Sequence, residues 1–307
     1  MVDYNSILQA RENISDYVKQ TPIARIAGGF YLKLENTHDE VNAVKIRGAY
    51  NKIKSLYCSE VVTAAVGSHG FAVGHICKSL GIQSVCFMPE TAPEDKKEKM
   101  EGLVDKVIYA GQQFSETEKE ASEYATCKSL PFIHPYNDEL VIAGQGTIGL
   151  EIIDQMQSFS NVYVPVGGGG LISGIGIALA HLNPDIRIVG VQPQVMHAMA
   201  SSITSGEIIK VDSRDSIAEP LCVNLNPNAI TFDLVQKYVD EFIFPSEDEV
   251  KDAMGCIHKE ADYIVEGAGA IALAAALKDR NRTGKSVCIV SGGNIDHERF
   301  FKETRRK

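Results

Sequence analysis

The sequence predicts an α/β protein made of two doubly wound units with a ligand-binding cleft between them. Three observations carry that expectation. Short apolar runs rich in β-branched residues alternate with helical patterns from residue 61 onward, the signature of parallel strands joined by crossover helices. Two glycine-rich turns, after Val166 and after Val290, close such runs, and open α/β sheets bind ligands at the carboxyl ends of their strands. A polar hinge at 136–139 sets off a self-contained block, which predicts a small domain over 50–137 and a larger one from 1–49 and 138–307.

In chain order, Ile7, Leu8, Ile14 and Val18 space a helix over 4–19, which Thr21-Pro22 stops. Residues 30–35 alternate as a strand, and 36–42 read as a polar loop. A helix opens near Lys45 and runs to about 57, with the lysine in its first turn. That position opposes the helix dipole, and apolar neighbours Val44 and Ile46 favour a lowered amine pKa; an ordinary snorkelling lysine is the alternative. Within the block, strands are expected at 61–65, 84–88, 106–109 and 131–133, with helices over 71–80, 92–102 and 115–129 and a turn at 67–70. Beyond the hinge, Ala143-Gly-Gln-Gly-Thr147 leads into a helix over 148–156. A strand from 162, a glycine turn and an apolar helix over 171–182 follow. The remainder reads as a strand at 186–191, a helix over 195–205, an irregular crossing at 206–227, a helix over 228–239, a strand at 241–244, helices over 247–259 and 267–277, and a strand at 286–290.

Composition excludes several function classes. The 307 residues carry a net charge of −10, which argues against nucleic acid as a partner; the basic end, Arg305-Arg306-Lys307, is too short to reverse that. No segment approaches the ~20 apolar residues of a membrane helix, and the N-terminus lacks a signal-peptide pattern. The seven cysteines form no CxxC pair, so a cytoplasmic, reducing setting is expected. His75, His134 and His181 lack metal-ligand spacing.

The turn Gly167-Gly168-Gly169-Gly170 lies between an apolar strand and an apolar helix beginning at Leu171. Bare backbone lets N–H groups converge, and the helix N-terminus favours an anion, so a phosphate suits the place. A dinucleotide would require GxGxxG and an acidic residue about 20 positions on, and the next strand instead ends at Gln192. A nucleoside-triphosphate P-loop is absent. A compact phosphate ester such as pyridoxal phosphate fits better. It requires an aldehyde-capturing lysine, a phosphate cup, a partner for its ring nitrogen and a carboxylate-binding loop for an amino acid. Lys45, Gly167 to Gly170, Ser291 and Gly67 to Gly70 are the candidates.

Motifs along almost the whole chain then resemble those of the pyridoxal-phosphate-dependent serine/threonine dehydratase and serine racemase family, of the tryptophan synthase β-subunit fold type. They include Lys45-Ile-Arg-Gly-Ala, Gly67-Ser-His-Gly, Met88-Pro-Glu-Thr-Ala-Pro, Ala143-Gly-Gln-Gly-Thr, Val166-Gly-Gly-Gly-Gly and Ser291-Gly-Gly-Asn. The resemblance implies that Lys45 holds the cofactor and moves the α-proton, with Gly167, Gly168, Gly169, Gly170 and Leu171 on the phosphate and Ser291 on the ring nitrogen. It implies that Ser68 meets the cofactor's 3′-oxygen, that Val66, Gly67, Ser68, His69 and Gly70 receive the substrate carboxylate, and that the cofactor phosphate assists the departing hydroxyl. It implies dehydration and deamination of L-threonine, L-serine or a related β-hydroxy amino acid in a homodimer.

Several positions depart from the family pattern. Ser68 stands for asparagine and Val44 for phenylalanine. Val66 replaces the second catalytic serine of the racemases, so efficient racemisation is not expected. Gln192 and Ala198 stand where racemase-like members hold a divalent cation, so no metal is expected there. Glu219-Pro220 and Glu266-Gly267 also differ. The alternatives are a β-replacement synthase and a weakly catalytic cofactor-binding protein. His69 is expected to bond backbone, Tyr136 to border the cofactor or act as a hinge, Lys96-Lys97 to form a solvated helix face, and Glu266 to face the ring or cap the following helix.

Overall fold

The computed structural model describes residues 1–39, 41–212 and 214–305. Arg306 and Lys307 of the basic end therefore lie outside the described residues, as do Glu40 and Ser213 within two of the expected irregular stretches.

Two sheets organise the chain. The larger is six-stranded, in the order β1 (Ile23–Ile26), β2 (Phe30–Leu34), β9 (Ser286–Val290), β6 (Asn161–Pro165), β7 (Arg187–Val191) and β8 (Glu241–Ile243). All its pairings are parallel except β1 with β2. The smaller is parallel, ordered β3 (Glu60–Ala64), β4 (Gln83–Met88) and β5 (Lys106–Tyr109). The helices are α1 (Tyr4–Ile14), α2 (Lys45–Lys54), α3 (Ser68–Leu80), α4 (Glu94–Glu101), α5 (Phe114–Lys128), α6 (Glu139–Gln155), α7 (Gly170–Leu182), α8 (Ala198–Ser205), α9 (Thr231–Tyr238), α10 (Glu247–Ala261), α11 (Gly267–Lys278) and α12 (His297–Thr304).

Side-chain alternation shows that the large sheet is covered on both faces, since strand residues point alternately up and down. Val162, Val164, Val287 and Ile289 pack with Ile148, Ile175 and Leu179 of α6 and α7. Their neighbours Tyr163, Cys288 and Val290 pack with Met254 and Ile271 of α10 and α11. The small sheet is likewise covered, by Ala121 and Ala125 of α5 on one face and by Phe71 and Met100 on the other. The expected doubly wound α/β class is the observed one.

Several local expectations need correction. α1 ends at Ile14 rather than 19, and α2 ends at Lys54 rather than 57. The segment at 131–133 is an isolated bridge, Val62 to Phe132, rather than a strand. The turn expected at 67–70 is already helix from Ser68. The helix expected from 148 begins earlier, at Glu139, so that α6 already includes Ala143 to Thr147. Gly144 lies where a Cβ would sit 2.7 Å from the Arg47 carbonyl oxygen, and a Cβ on Gly48 would sit 2.6 Å from the Val141 carbonyl oxygen. These glycines let α2 and α6 cross backbone to backbone, and that contact offsets the ~0.5–1 kcal/mol a mid-helix glycine costs. β1 and α12 were not expected.

Candidate active site

A cavity of about 350 Å³ opens between the two sheets' carboxyl ends, a volume within the usual range for small-molecule sites. Lys45 enters it from the first residue of α2. The segment before α2 is pinned to the exit of β9. Val44 N–H donates to the Ser291 carbonyl (3.0 Å), Gly293 N–H donates to the Asn42 carbonyl (2.9 Å), and Ala43 bridges Gly292. Lys45 and Ser291, distant in sequence, are thereby held on one wall. Lys45 Nζ donates to the Pro135 carbonyl at 2.9 Å, and burial lowers its pKa to about 8. Charge is costly there, so much of the amine is neutral near pH 8 and able to attack an aldehyde.

Gly167 to Gly170 and Leu171 line the opposite wall, where β6 gives way to α7. Gly169 has φ +89°, a left-handed conformation natural to glycine. A Cβ on Gly168 would collide with the Tyr136 ring, and one on Gly170 would lie 3.0 Å from Tyr136 Cα. The wall is thus bare backbone, and the first-turn amides of α7 have no intrahelical acceptor. Thr231 Oγ1 holds it by donating to the Gly168 carbonyl at 2.7 Å. Tyr136, whose hydroxyl accepts from Asn226 N–H at 2.9 Å, borders the cavity.

Ser291 lines the cavity with its hydroxyl donating to the Ala268 carbonyl at 3.0 Å. A hydroxyl proton rotates to suit its partner, so the same oxygen can serve a ring nitrogen. Val66, Gly67, Ser68 and His69 line the remaining side, where β3 leads into α3, whose first amides are also unpaired within the helix. Gly70 does not reach the cavity. It is packed against Met100 and Ala65, with a Cβ position 2.8 Å from Met100 Sδ. Ser68 Oγ accepts from Asn294 Nδ2 at 2.9 Å. His69 bonds backbone as expected, Nε2 lying 3.0 Å from the Ile133 carbonyl, and burial beside Lys45 lowers its pKa to about 3.

Lys96 corrects another expectation. Lys97 pairs with Glu94 on the helix surface, but Lys96 lines the cavity and pairs with Glu219 across the cleft. Nothing in the charged pattern of α4 distinguishes the two lysines. Glu266 also lines the cavity. It stands at the N-cap of α11 without capping it, and burial raises its pKa to about 7. Asn294 and the Pro135 carbonyl are further participants that sequence reasoning did not single out.

The residues fit pyridoxal phosphate: a glycine wall that any Cβ would fill, a lysine with a depressed pKa, a hydroxyl for a ring nitrogen, and free amides for a carboxylate. Comparison with known proteins agrees. A family model described as pyridoxal-phosphate dependent enzyme matches residues 14–292. The chain is 39% identical to the L-threonine ammonia-lyase of Thermotoga maritima, covering 96% of this chain and 76% of that protein. It is 38% identical to the L-threonine dehydratase catabolic TdcB of Escherichia coli strain K12, covering 99% of this chain and 96% of the relative. The solved structure of maize serine racemase superposes with a TM-score of 0.91 at 32% identity, covering 98% of this chain and 96% of the racemase. The cavity and these likenesses converge on one conclusion: the chain belongs to the pyridoxal-phosphate dependent enzyme family.

Proposed function

We propose that the protein is an ammonia-lyase that converts L-threonine, and L-serine as a smaller substrate, to an α-keto acid and ammonia. The observation that carries this is the convergence of Lys45, the glycine wall, Ser291 and the unpaired amides of α3 on one cavity, in a chain 38% identical to a threonine dehydratase over nearly its full length. Lys45 would hold the cofactor aldehyde; Gly167 to Leu171 would hold the phosphate, and Ser291 the ring nitrogen. Bound there, pyridoxal phosphate supplies an electron sink for the pair released at the substrate α-carbon. The amides of Ser68 and His69 orient the substrate carboxylate, and Lys45 Nζ takes the α-proton. Elimination of the β-hydroxyl leaves an unsaturated amine, which water hydrolyses to keto acid and ammonia. Val66 offers no group to move a proton on the second face of the α-carbon, which favours elimination over racemisation. Ser68 is already engaged by Asn294, so its contact to the cofactor's 3′-oxygen would be shared.

The three-stranded sheet and its helices, 50–137, form the small domain in this reading, and 1–49 with 138–307 the large one. Seven unpaired thiols among the described residues support a reducing, cytoplasmic setting, and a homodimer is the assembly the family likeness implies. Sedimentation of the purified protein tests the dimer.

The activity is tested by following keto acid from L-threonine with wild type and Lys45→Ala, alongside the visible cofactor band. Wild type should show the band and product, and the variant neither. Wild type with the band but no keto acid from either amino acid would overturn the lyase reading.

A further inference from the structure

We propose that Asn294 is a positioning residue for the cofactor: it holds Ser68 so that the serine proton, rather than a serine lone pair, is offered to the 3′-oxygen of pyridoxal phosphate. The inference rests on the cofactor placement given above and deepens it.

A serine hydroxyl has one proton and two lone pairs, and the proton rotates to suit its surroundings. What Ser68 offers the cavity is therefore decided by its other partners. Among the described residues its oxygen has one, the Asn294 amide, 2.9 Å away. An amide nitrogen only donates and an amide oxygen only accepts, so the atom that faces Ser68 fixes the direction of that bond.

Two independent neighbours orient the amide. Lys99 Nζ, held 4.3 Å above the Phe71 ring, lies 3.0 Å from one amide atom. An ammonium can only donate, so that atom is the oxygen. The Val41 carbonyl lies 2.8 Å from the other amide atom. A carbonyl can only accept, so that atom is the nitrogen. The two protons of Asn294 Nδ2 thus go to Val41 and Ser68. Ser68 accepts in that bond, and its own proton has no acceptor among the described residues. Both Ser68 and Asn294 line the cavity with Lys45, so the ligand there is what the proton can serve.

The fold sets this up before any cofactor arrives. Asn294 follows β9, where Gly293 N–H donates to the Asn42 carbonyl, so the asparagine is fastened to the segment that leads to Lys45. Ser68 opens α3 and Lys99 lies in the last turn of α4, both beside the smaller sheet. One amide from the larger sheet's side therefore fixes a hydroxyl from the other. The donors run in one direction, from Lys99 to Asn294 to Ser68 and on to the 3′-oxygen, and each bond polarises the next. An ionised ring oxygen gains most from such a donor, because charge-assisted hydrogen bonds are the stronger ones.

A cofactor analogue without that oxygen provides the test. The full chain, freed of cofactor, is titrated with pyridoxal phosphate and with its 3′-deoxy analogue. Ser68→Ala should weaken binding of pyridoxal phosphate by about tenfold and of the analogue by less than about twofold. Asn294→Ala should show the same selective loss, because an unheld Ser68 can turn its proton elsewhere. The double variant should bind no more weakly than Ser68→Ala alone, the non-additivity expected when one residue acts through the other. Asn294→Asp keeps the shape but presents two acceptor oxygens, which would capture the Ser68 proton. It should discriminate between the two compounds as Ser68→Ala does. An Asn294→Ala loss equal for both compounds would mark a purely structural tie and overturn the proposal. So would a loss that adds in full to that of Ser68→Ala, or an Asn294→Asp variant that keeps the wild-type preference. Equal wild-type affinity for the two compounds would also remove Ser68 from the 3′-oxygen. None of these titrations involves turnover, so keto acid formation from L-threonine decides the ammonia-lyase reading separately.

Discussion

Lys45 gains its reactivity from where its amine ends rather than from its neighbours in sequence. Burial is the only cause lowering its pKa to about 8, so the neutral, nucleophilic form grows as pH rises through that value. Cofactor uptake by the apoprotein, followed by absorbance, should accelerate across the same range. A rate flat from pH 6 to 10 would show that the amine is not the group that limits capture. On the opposite wall, Gly168 has no room for a Cβ beside Tyr136. Gly168→Ala should weaken pyridoxal phosphate binding by at least about tenfold, the equivalent of ~1.4 kcal/mol, in equilibrium titration of the apoprotein. These residues were legible in the sequence because bare glycine and an apolar-flanked lysine are unusual by type. Lys96, Glu219 and Asn294 were not, because nothing local separates a cleft-facing charge from a solvated one.

At the scale of elements, α2 is positioned by a buried ionic cluster. The Arg47 guanidinium donates to both carboxylate oxygens of Glu35, at 2.7 and 2.9 Å, and to Glu151 Oε1 at 2.6 Å. Lys33, fully buried, donates to the Thr21 carbonyl at 2.8 Å and to Gln155 Oε1 at 2.9 Å, and pairs with Glu151. The cluster ties α2 to β2 and α6 two residues beyond Lys45. Arg47→Met should destabilise the fold by about 3–5 kcal/mol, the usual cost of stranding a buried charge, read as a lower denaturation midpoint. Glu35 reports the same cluster through pH. Burial alone would raise its pKa, but Arg47 and His38 hold it well below the ordinary value of 4.5. Its stabilising contribution is therefore complete above that value and is lost as pH falls below it. Glu35→Gln should flatten this acid limb in denaturation curves, and an unchanged limb would assign it to other carboxylates. The helix pattern around Lys45 was readable. The early start of α6 was not, since Gly144 and Gly146 weaken a helical pattern until α2 and α7 are seen lying against them.

For the whole molecule, two polar ties among the described residues span the cleft. Lys96 of α4 pairs with Glu219, and Asn294 joins Ser68 (2.9 Å) with Lys99 (3.0 Å). The first is a charge pair in the cavity lining that is only partly exposed. Lys96→Met should raise KM for L-threonine several-fold with the cofactor band unchanged. Exchanging the charges, Lys96→Glu with Glu219→Lys, should recover part of the loss. A double variant no better than either single one would argue against a tie.

The sequence by itself determined the α/β class, the cofactor, and the bare glycine turn and apolar-flanked lysine that meet at the cavity, because periodicity, glycine runs and residue chemistry are local properties of the chain. The tertiary structure alone decided that Gly70 is packed away, that Lys96 turns inward, and that Glu266 faces the cavity instead of capping α11. Those outcomes depend on which elements meet across the cleft, and burial, close approach and charge pairing arise only from that meeting.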